Sequence, residues 1–211
     1  MVPAAIEFLR ILRRRRRILS LKVTDLRLRR AQFELGPLSF ELEAGQCCGL
    51  IGANGSGKSS LLKALLGRLQ ISSGSIMGLP RQRAAIGLEP LLIESWSIQN
   101  FIDWYSLLAG RSPDETFLSA LKSYRSMKIS WLSSGWKRFV EASCVLSHSF
   151  EIYFLDEVFV HLDPRRREQL ESLIHKRLQA GAMVILTAHS SSELNKLAFT
   201  CRQIVLDEGT S

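Results

Sequence analysis

No stretch of the 211-residue chain approaches the roughly 18 consecutive apolar residues of a membrane-crossing helix, so the sequence predicts no span. Cysteine is scarce. Cys47, Cys48, Cys144 and Cys201 form no CxxC pair and have no histidine at a ligand-like interval, which argues against zinc. They read as small buried residues of a protein kept in a reducing compartment. Internal repeats and low-complexity linkers are absent too. The charge surplus is also small once one segment is set aside. Lys+Arg number 28 against 20 Asp+Glu, a net +8, and five of the positive charges are the run Arg13–Arg17, without which about +3 remains. A nucleic-acid binder spreads its basic surplus over a face, so no nucleic-acid partner is expected.

What is present is enough apolar residue, 46% against 23% charged, to bury a sizeable core. At the N-terminus an apolar stretch, Val2 to Leu12, precedes the arginines, the reverse of a secretory signal peptide. Residues 1–18 therefore read as a basic tail able to rest on anionic lipid headgroups, with an Arg-rich organelle presequence as the alternative.

Beyond the tail, Leu19–Leu28 and Leu38–Leu42 alternate as strands do, and Gln46–Ile51 is a short apolar run of the buried-strand kind. Helical spacing covers Ser59–Leu69, Ser97–Leu108, Pro113–Arg125, Ser134–Ser147, Pro164–Gln179 and Ser191–Ala198. Ile152–Leu155, Met183–Leu186 and Gln203–Leu206 read as further strands. Strands alternating with helices imply an α/β fold with right-handed crossovers and a mainly parallel sheet, with the helical middle as an inserted subdomain.

Between the strand ending at Ile51 and the helix beginning near Ser59 lies Gly52-Ala53-Asn54-Gly55-Ser56-Gly57-Lys58-Ser59, a complete GxxxxGK[ST] phosphate loop in its required context; Ser60 follows it. Its glycines let successive backbone N–H groups converge on an anion, and the following helix adds its positive end. Lys58 supplies an ammonium to the β/γ-phosphates and Ser59 a hydroxyl ligand for Mg2+. Downstream, Ile152-Tyr153-Phe154-Leu155 ends in Asp156-Glu157, a strand end of the kind where ligands collect. Asp156 is expected to hold the Mg2+ shell and Glu157 to act as general base.

With Leu132-Ser133-Ser134-Gly135-Trp136 between those motifs, the chain resembles the ATP-binding-cassette (ABC) ATPases, whose signature reads LSGGQ. The resemblance runs from about Leu21 to the C-terminus. It implies a P-loop NTPase of ABC type over residues 19–211, with an N-terminal antiparallel β portion and a helical subdomain at about 90–148. It further implies ATP and Mg2+ as ligands and a second ABC ATPase subunit whose signature, here Ser133 and Gly135, grips the γ-phosphate of the first. Asp163 resembles the aspartate that communicates between subunits, and His189 the switch histidine at the γ-phosphate. Four positions depart from the family pattern: Trp136 replaces glutamine, Val158 replaces proline, Val160 replaces a small polar residue, and Glu89 stands where a metal-approaching glutamine is usual. The adenine-stacking residue is Phe33, or a basic residue at Arg29 or Arg30.

The resemblance thus implies the ATP-hydrolysing subunit of a transporter, peripheral on the cytoplasmic face of the inner membrane beside a separate membrane-spanning subunit. Leu38-Ser39-Phe40, Ile86-Gly87, Gln99-Asn100-Phe101 and Val184-Thr187 are similar to the ATP-binding subunit of the haem exporter of cytochrome c maturation. The rival readings are a soluble ABC ATPase acting on the ribosome or nucleic acid, and a degenerate cassette that binds ATP in a regulatory role.

Overall fold

The computed structural model describes residues 20–30 and 33–206; the basic N-terminal tail, its Arg13–Arg17 run and the side chain of Arg30 lie outside them. Strands β1 (Ser20–Arg30) and β2 (Phe33–Glu43) pair antiparallel, and β4 (Ser73–Met77) joins the other edge of β1. The inward residues of β1 are Leu21, Val23, Leu26 and Leu28. Their spacing slips by one because the register shifts between Val23 and Leu26, where Asp25 takes φ 47°. That bulge explains why the alternation in the sequence is only partial.

The second sheet is parallel throughout, with order β5-β6-β7-β3-β8: β3 Cys47–Ile51, β5 Arg83–Ile86, β6 Ile152–Leu155, β7 Met183–Ala188 and β8 Cys201–Val205. Every residue of β3, β6 and β7 is buried, as a strand covered on both faces requires. Successive side chains enter opposite layers. Tyr153, Leu155, Val184 and Leu186 pack with the helical side of the molecule. Ile152, Phe154, Met183 and Ile185 pack with the antiparallel sheet and with α1 (Lys58–Leu65). Cys48 lies in that second layer, and burial pushes its thiol up to about 12, in keeping with the reading of an inert core residue.

Strands β4 and β5, which the sequence reading does not contain, have no apolar signature: β4 is Ser-Gly-Ser-Ile-Met and largely exposed, and β5 has only four residues. Helix α1 is shorter than the spacing Ser59–Leu69 predicts: it ends at Leu65, with Leu66 as its C-cap and Gly67 following at φ 75°. Between β5 and β6 the chain inserts α2 (Ile98–Ala109), 3-10 turns over Glu115–Tyr124 and Ile129–Trp131, and α3 (Ser134–Ser147). The α-helix expected over Pro113–Arg125 is therefore corrected to 3-10 turns; Asp114 caps them and Phe117, Leu118 and Leu121 are buried from them. Helix α4 (Pro164–Gln179) and the short α5 (Ser191–Asn195) complete the fold. Ser97, Ser133 and Asp163 cap α2, α3 and α4, each side-chain oxygen accepting from a backbone N–H three residues on. Among the described residues no helix is long and apolar enough to cross a membrane.

Candidate nucleotide-binding site

Because β6, β7 and β3 are adjacent and parallel, their carboxyl ends lie side by side. The phosphate loop leaves β3, Asp156-Glu157 leave β6, and His189 leaves β7. Three segments far apart in sequence meet there for that reason alone. Within the loop Gly57 takes φ 92°, and a Cβ on it would come within 2.4 Å of the Phe33 ring, so only glycine allows the turn and the close approach together. The buried hydroxyl of Ser56 has no partner among the described residues. Lys58, 5% exposed, donates from Nζ to the carbonyls of Gly52 at 2.6 Å and Ala53 at 2.9 Å, which holds its ammonium over the loop.

A polar chain runs across the strand ends. Ser59 Oγ donates to Asp156 Oδ2 at 2.6 Å, and Thr187 Oγ1 donates to Asp156 Oδ1 at 2.9 Å. The Glu157 N–H donates to Thr187 Oγ1 at 2.8 Å. Glu157 has φ 48°, a left-handed conformation that costs a side-chain-bearing residue about 1–3 kcal/mol and persists only when its surroundings hold it. The Thr187 contact is one such hold, and it aims the carboxylate toward His189, whose Nε2 lies 3.7 Å from Glu157 Oε1. Glu193 in turn accepts from the His189 backbone N–H at 3.1 Å. The sequence reading names Thr187 only as the end of the run Val184-Thr187 and gives it no role; a hydroxyl one position before a strand's end, beside a carboxylate strand end, is the available signal.

Thr187, His189 and Glu193 line a separate cleft of about 120 Å³ that they share with Glu157, whereas Lys58, Ser59 and Glu157 border a cavity of about 990 Å³. Asn54, Gly55, Gly57, Lys58, Ser59, Ser60, Glu89 and Glu157 line it, and Phe33, Leu28 and Arg29 form its other end. Of the two expected stacking candidates with described side chains, Phe33 and Arg29, both face this cavity. Ser59 and Asp156 present two hard oxygen donors in contact, a set that fits Mg2+, which takes one or two protein oxygens and completes its shell with phosphates and waters. Glu89 lines the cavity wall but is ion-paired to Arg68, Oε1 to Nη1, at 3.0 Å.

Ser133, Gly135 and Asp163 do not line this cavity; they cluster where α3 meets the loop before α4. A Cβ on Gly135 would lie 2.2 Å from the His161 carbonyl oxygen, so the helix start and that loop touch through glycine's bare face. Asp163 Oδ1 accepts from the Arg166 N–H at 3.0 Å, which with the Arg166 charge holds its carboxyl below the usual range. Trp136 lies beneath the Arg166 guanidinium, 4.0 Å from ring centroid to Cζ, and against Tyr124 at 4.9 Å.

The parallel sheet with its phosphate loop after β3 and its carboxylates after β6 defines a P-loop nucleotide-binding protein of the α/β class. The family model for ABC transporters matches residues 35–160, more than half of the chain and a span that includes the phosphate loop and Asp156-Glu157. The chain belongs to that family. It is 30% identical over 191 residues to the Nod factor export ATP-binding protein I of Neorhizobium galegae, a match covering 82% of this chain and 54% of the relative. A manganese transport system ATP-binding protein of Halalkalibacterium halodurans is 30% identical over 181 residues, covering 75% of this chain and 72% of that one. The chain spans about 54–62% of the length of the Nod factor export relatives it matches. Among solved structures, the ATP binding subunit of an ABC transporter superposes with TM-score 0.79 at 24% identity, over 90% of this chain and 86% of that one. A bacterial Atm1-family ABC exporter with ATP bound gives 0.75 at 20% identity, over 91% and 37%.

Proposed function

We propose that the chain binds ATP with Mg2+ and hydrolyses it, as the nucleotide-binding subunit of an ABC transporter that energises a separate membrane-spanning subunit. The observation that carries this is the contact chain Ser59–Asp156–Thr187–Glu157 laid across the ends of β3, β6 and β7 beside a complete phosphate loop. The N–H groups of residues 52–60 and the start of α1 bind the phosphates, and Lys58 adds a positive charge once its bonds to Gly52 and Ala53 are exchanged for phosphate oxygens. Ser59 and Asp156 hold the metal, which when bound screens the phosphate charge and stabilises the charge developing on the oxygens. The Glu157 carboxylate accepts a proton from the attacking water, and His189 beside it positions that water at the γ-phosphate. Phe33 stacks on the base.

Ser133, Gly135 and Asp163, gathered away from the cavity, serve the nucleotide of a second ABC subunit in a homo- or heterodimer. The assembly is peripheral at the cytoplasmic face of the inner membrane. Both rival readings give way to this one: the family match favours a transporter over a ribosome-bound or nucleic-acid protein, and the intact Ser59–Asp156 and Glu157–His189 contacts favour hydrolysis over a purely regulatory role. Cargo is chosen by the membrane subunit. The haem-export expectation is therefore tested on the complex, where deletion of this gene should abolish holocytochrome c formation; unchanged cytochromes would remove it.

Single-turnover hydrolysis by Glu157→Gln tests the catalytic assignment. Loss of the proton acceptor is expected to slow the step by about 10²–10⁴-fold while ATP remains bound. A near-normal rate would remove Glu157 from the role.

A further inference from the structure

Two cavities of the molecule share one wall. The first is the nucleotide pocket; the second, about 240 Å³, is lined by Arg83, Ala85, Leu88, Leu91, Leu108 and Phe150 among others. Among the described residues, only Arg68 and Glu89 line both. Arg68 follows α1 just past Gly67, whereas Glu89 follows β5, and their ion pair joins the two segments at 3.0 Å. Both side chains are about half exposed, 48% and 58%. An exposed pair adds little to folding stability, so its significance is what it does to charge on the pocket wall.

We infer that Arg68 is a positioning residue for Glu89: it neutralises and holds the Glu89 carboxylate on the pocket wall, and releases it when a divalent cation enters with the nucleotide. This rests on the proposal that the pocket takes Mg·ATP. A free carboxylate facing a triphosphate repels it, whereas the paired one is electrically silent. A divalent cation is the stronger competitor for a hard carboxylate oxygen than a half-solvated guanidinium, directly or through a water. Glu89 then turns to the metal, the half-exposed Arg68 side chain is released to solvent, and the wall between the two cavities loses its cross-link. The presence of metal, rather than of nucleotide alone, is what the pair reads.

The test is equilibrium binding of ATP to the whole chain with Mg2+ and, separately, with EDTA, in wild type, Arg68→Gln, Glu89→Gln, the double variant and Arg68→Lys. A unit charge at a solvent-filled pocket shifts the affinity of a polyanion by about three- to tenfold at low ionic strength. Arg68→Gln should weaken ATP by that factor in EDTA and by less than about twofold with Mg2+, since the metal then occupies Glu89. Glu89→Gln should tighten ATP in EDTA by a similar factor, the double variant should return close to wild type, and Arg68→Lys should keep the wild-type ratio. A purely structural role for Arg68 would weaken binding equally in both conditions. Equal effects of Arg68→Gln with Mg2+ and with EDTA would overturn the inference while leaving nucleotide binding intact; wild-type protein that bound no ATP in either condition would overturn both. Unchanged denaturation midpoints in the variants would show that the affinities report on folded protein.

Discussion

Trp136 is the residue whose sequence and structural readings differ most. In the sequence it is a mismatch to a glutamine; in the fold it is the floor of a stack, with Arg166 above it and Tyr124 at its edge. Arg166 is also paired to Asp163, so one guanidinium ties the start of α3 to the start of α4. Nothing in the local sequence shows this, because the partners lie 30 residues apart and meet only through the sheet's crossovers. A partly exposed cation–π contact is worth about 0.5–1 kcal/mol. A double-mutant cycle of Trp136→Leu and Arg166→Gln, read by denaturant unfolding, should return a coupling of about that size. A coupling indistinguishable from zero would make Trp136 a passive packing residue. The phosphate-loop residues, by contrast, were fully legible, since eight consecutive positions carry their own chemistry and need no distant partner.

At the level of elements, β3, β6 and β7 were readable because burial on both faces leaves an unbroken apolar run. Strands β4 and β5 were not, since their pairing comes from neighbours rather than from composition. The 3-10 segment at Glu115–Tyr124 shows the same limit from the other side: its apolar spacing suits a helix, but the turns it adopts are set by the surfaces of α3 and α4 that it covers. One contact between elements gives a pH test. His148, fully buried at the end of α3, meets the carbonyl of Cys144 at 2.9 Å and Ser106 Oγ of α2 at 3.0 Å. Burial holds its pKa below the ordinary imidazole value. The unfolded chain therefore takes up the proton first as pH falls, so stability declines below about pH 6.5. His148→Gln lacks that term. Relative to wild type, the variant should be less stable at pH 7.5, and the gap should narrow toward pH 5.5. Urea unfolding of both proteins at the two pH values measures it, and a constant gap would contradict the assignment.

For the molecule as a whole, the account predicts assembly controlled by nucleotide. Ser133, Gly135 and Asp163 lie apart from the chain's own cavity, so they act on phosphates only if a second protomer brings its cavity to them. If the dimer is of two identical chains, Glu157→Gln, expected to retain ATP, should sediment at twice the monomer mass with Mg·ATP and at the monomer mass without it; a mass indifferent to nucleotide would contradict a site shared between two copies of this chain. Fold and loop were legible from the chain alone, but the proposed role of Ser133, Gly135 and Asp163 rests on family resemblance, since no periodicity reports what one copy offers another.

The central claim is that the loop between β3 and α1 holds a triphosphate, and calorimetric titration of the protein with Mg·ATP tests it most directly. The account predicts saturable binding of one nucleotide per chain, weakened at least about tenfold in Lys58→Ala by loss of a charge at hydrogen-bonding distance from the phosphates. Absence of binding by the wild-type chain, or equal binding by Lys58→Ala, would contradict it.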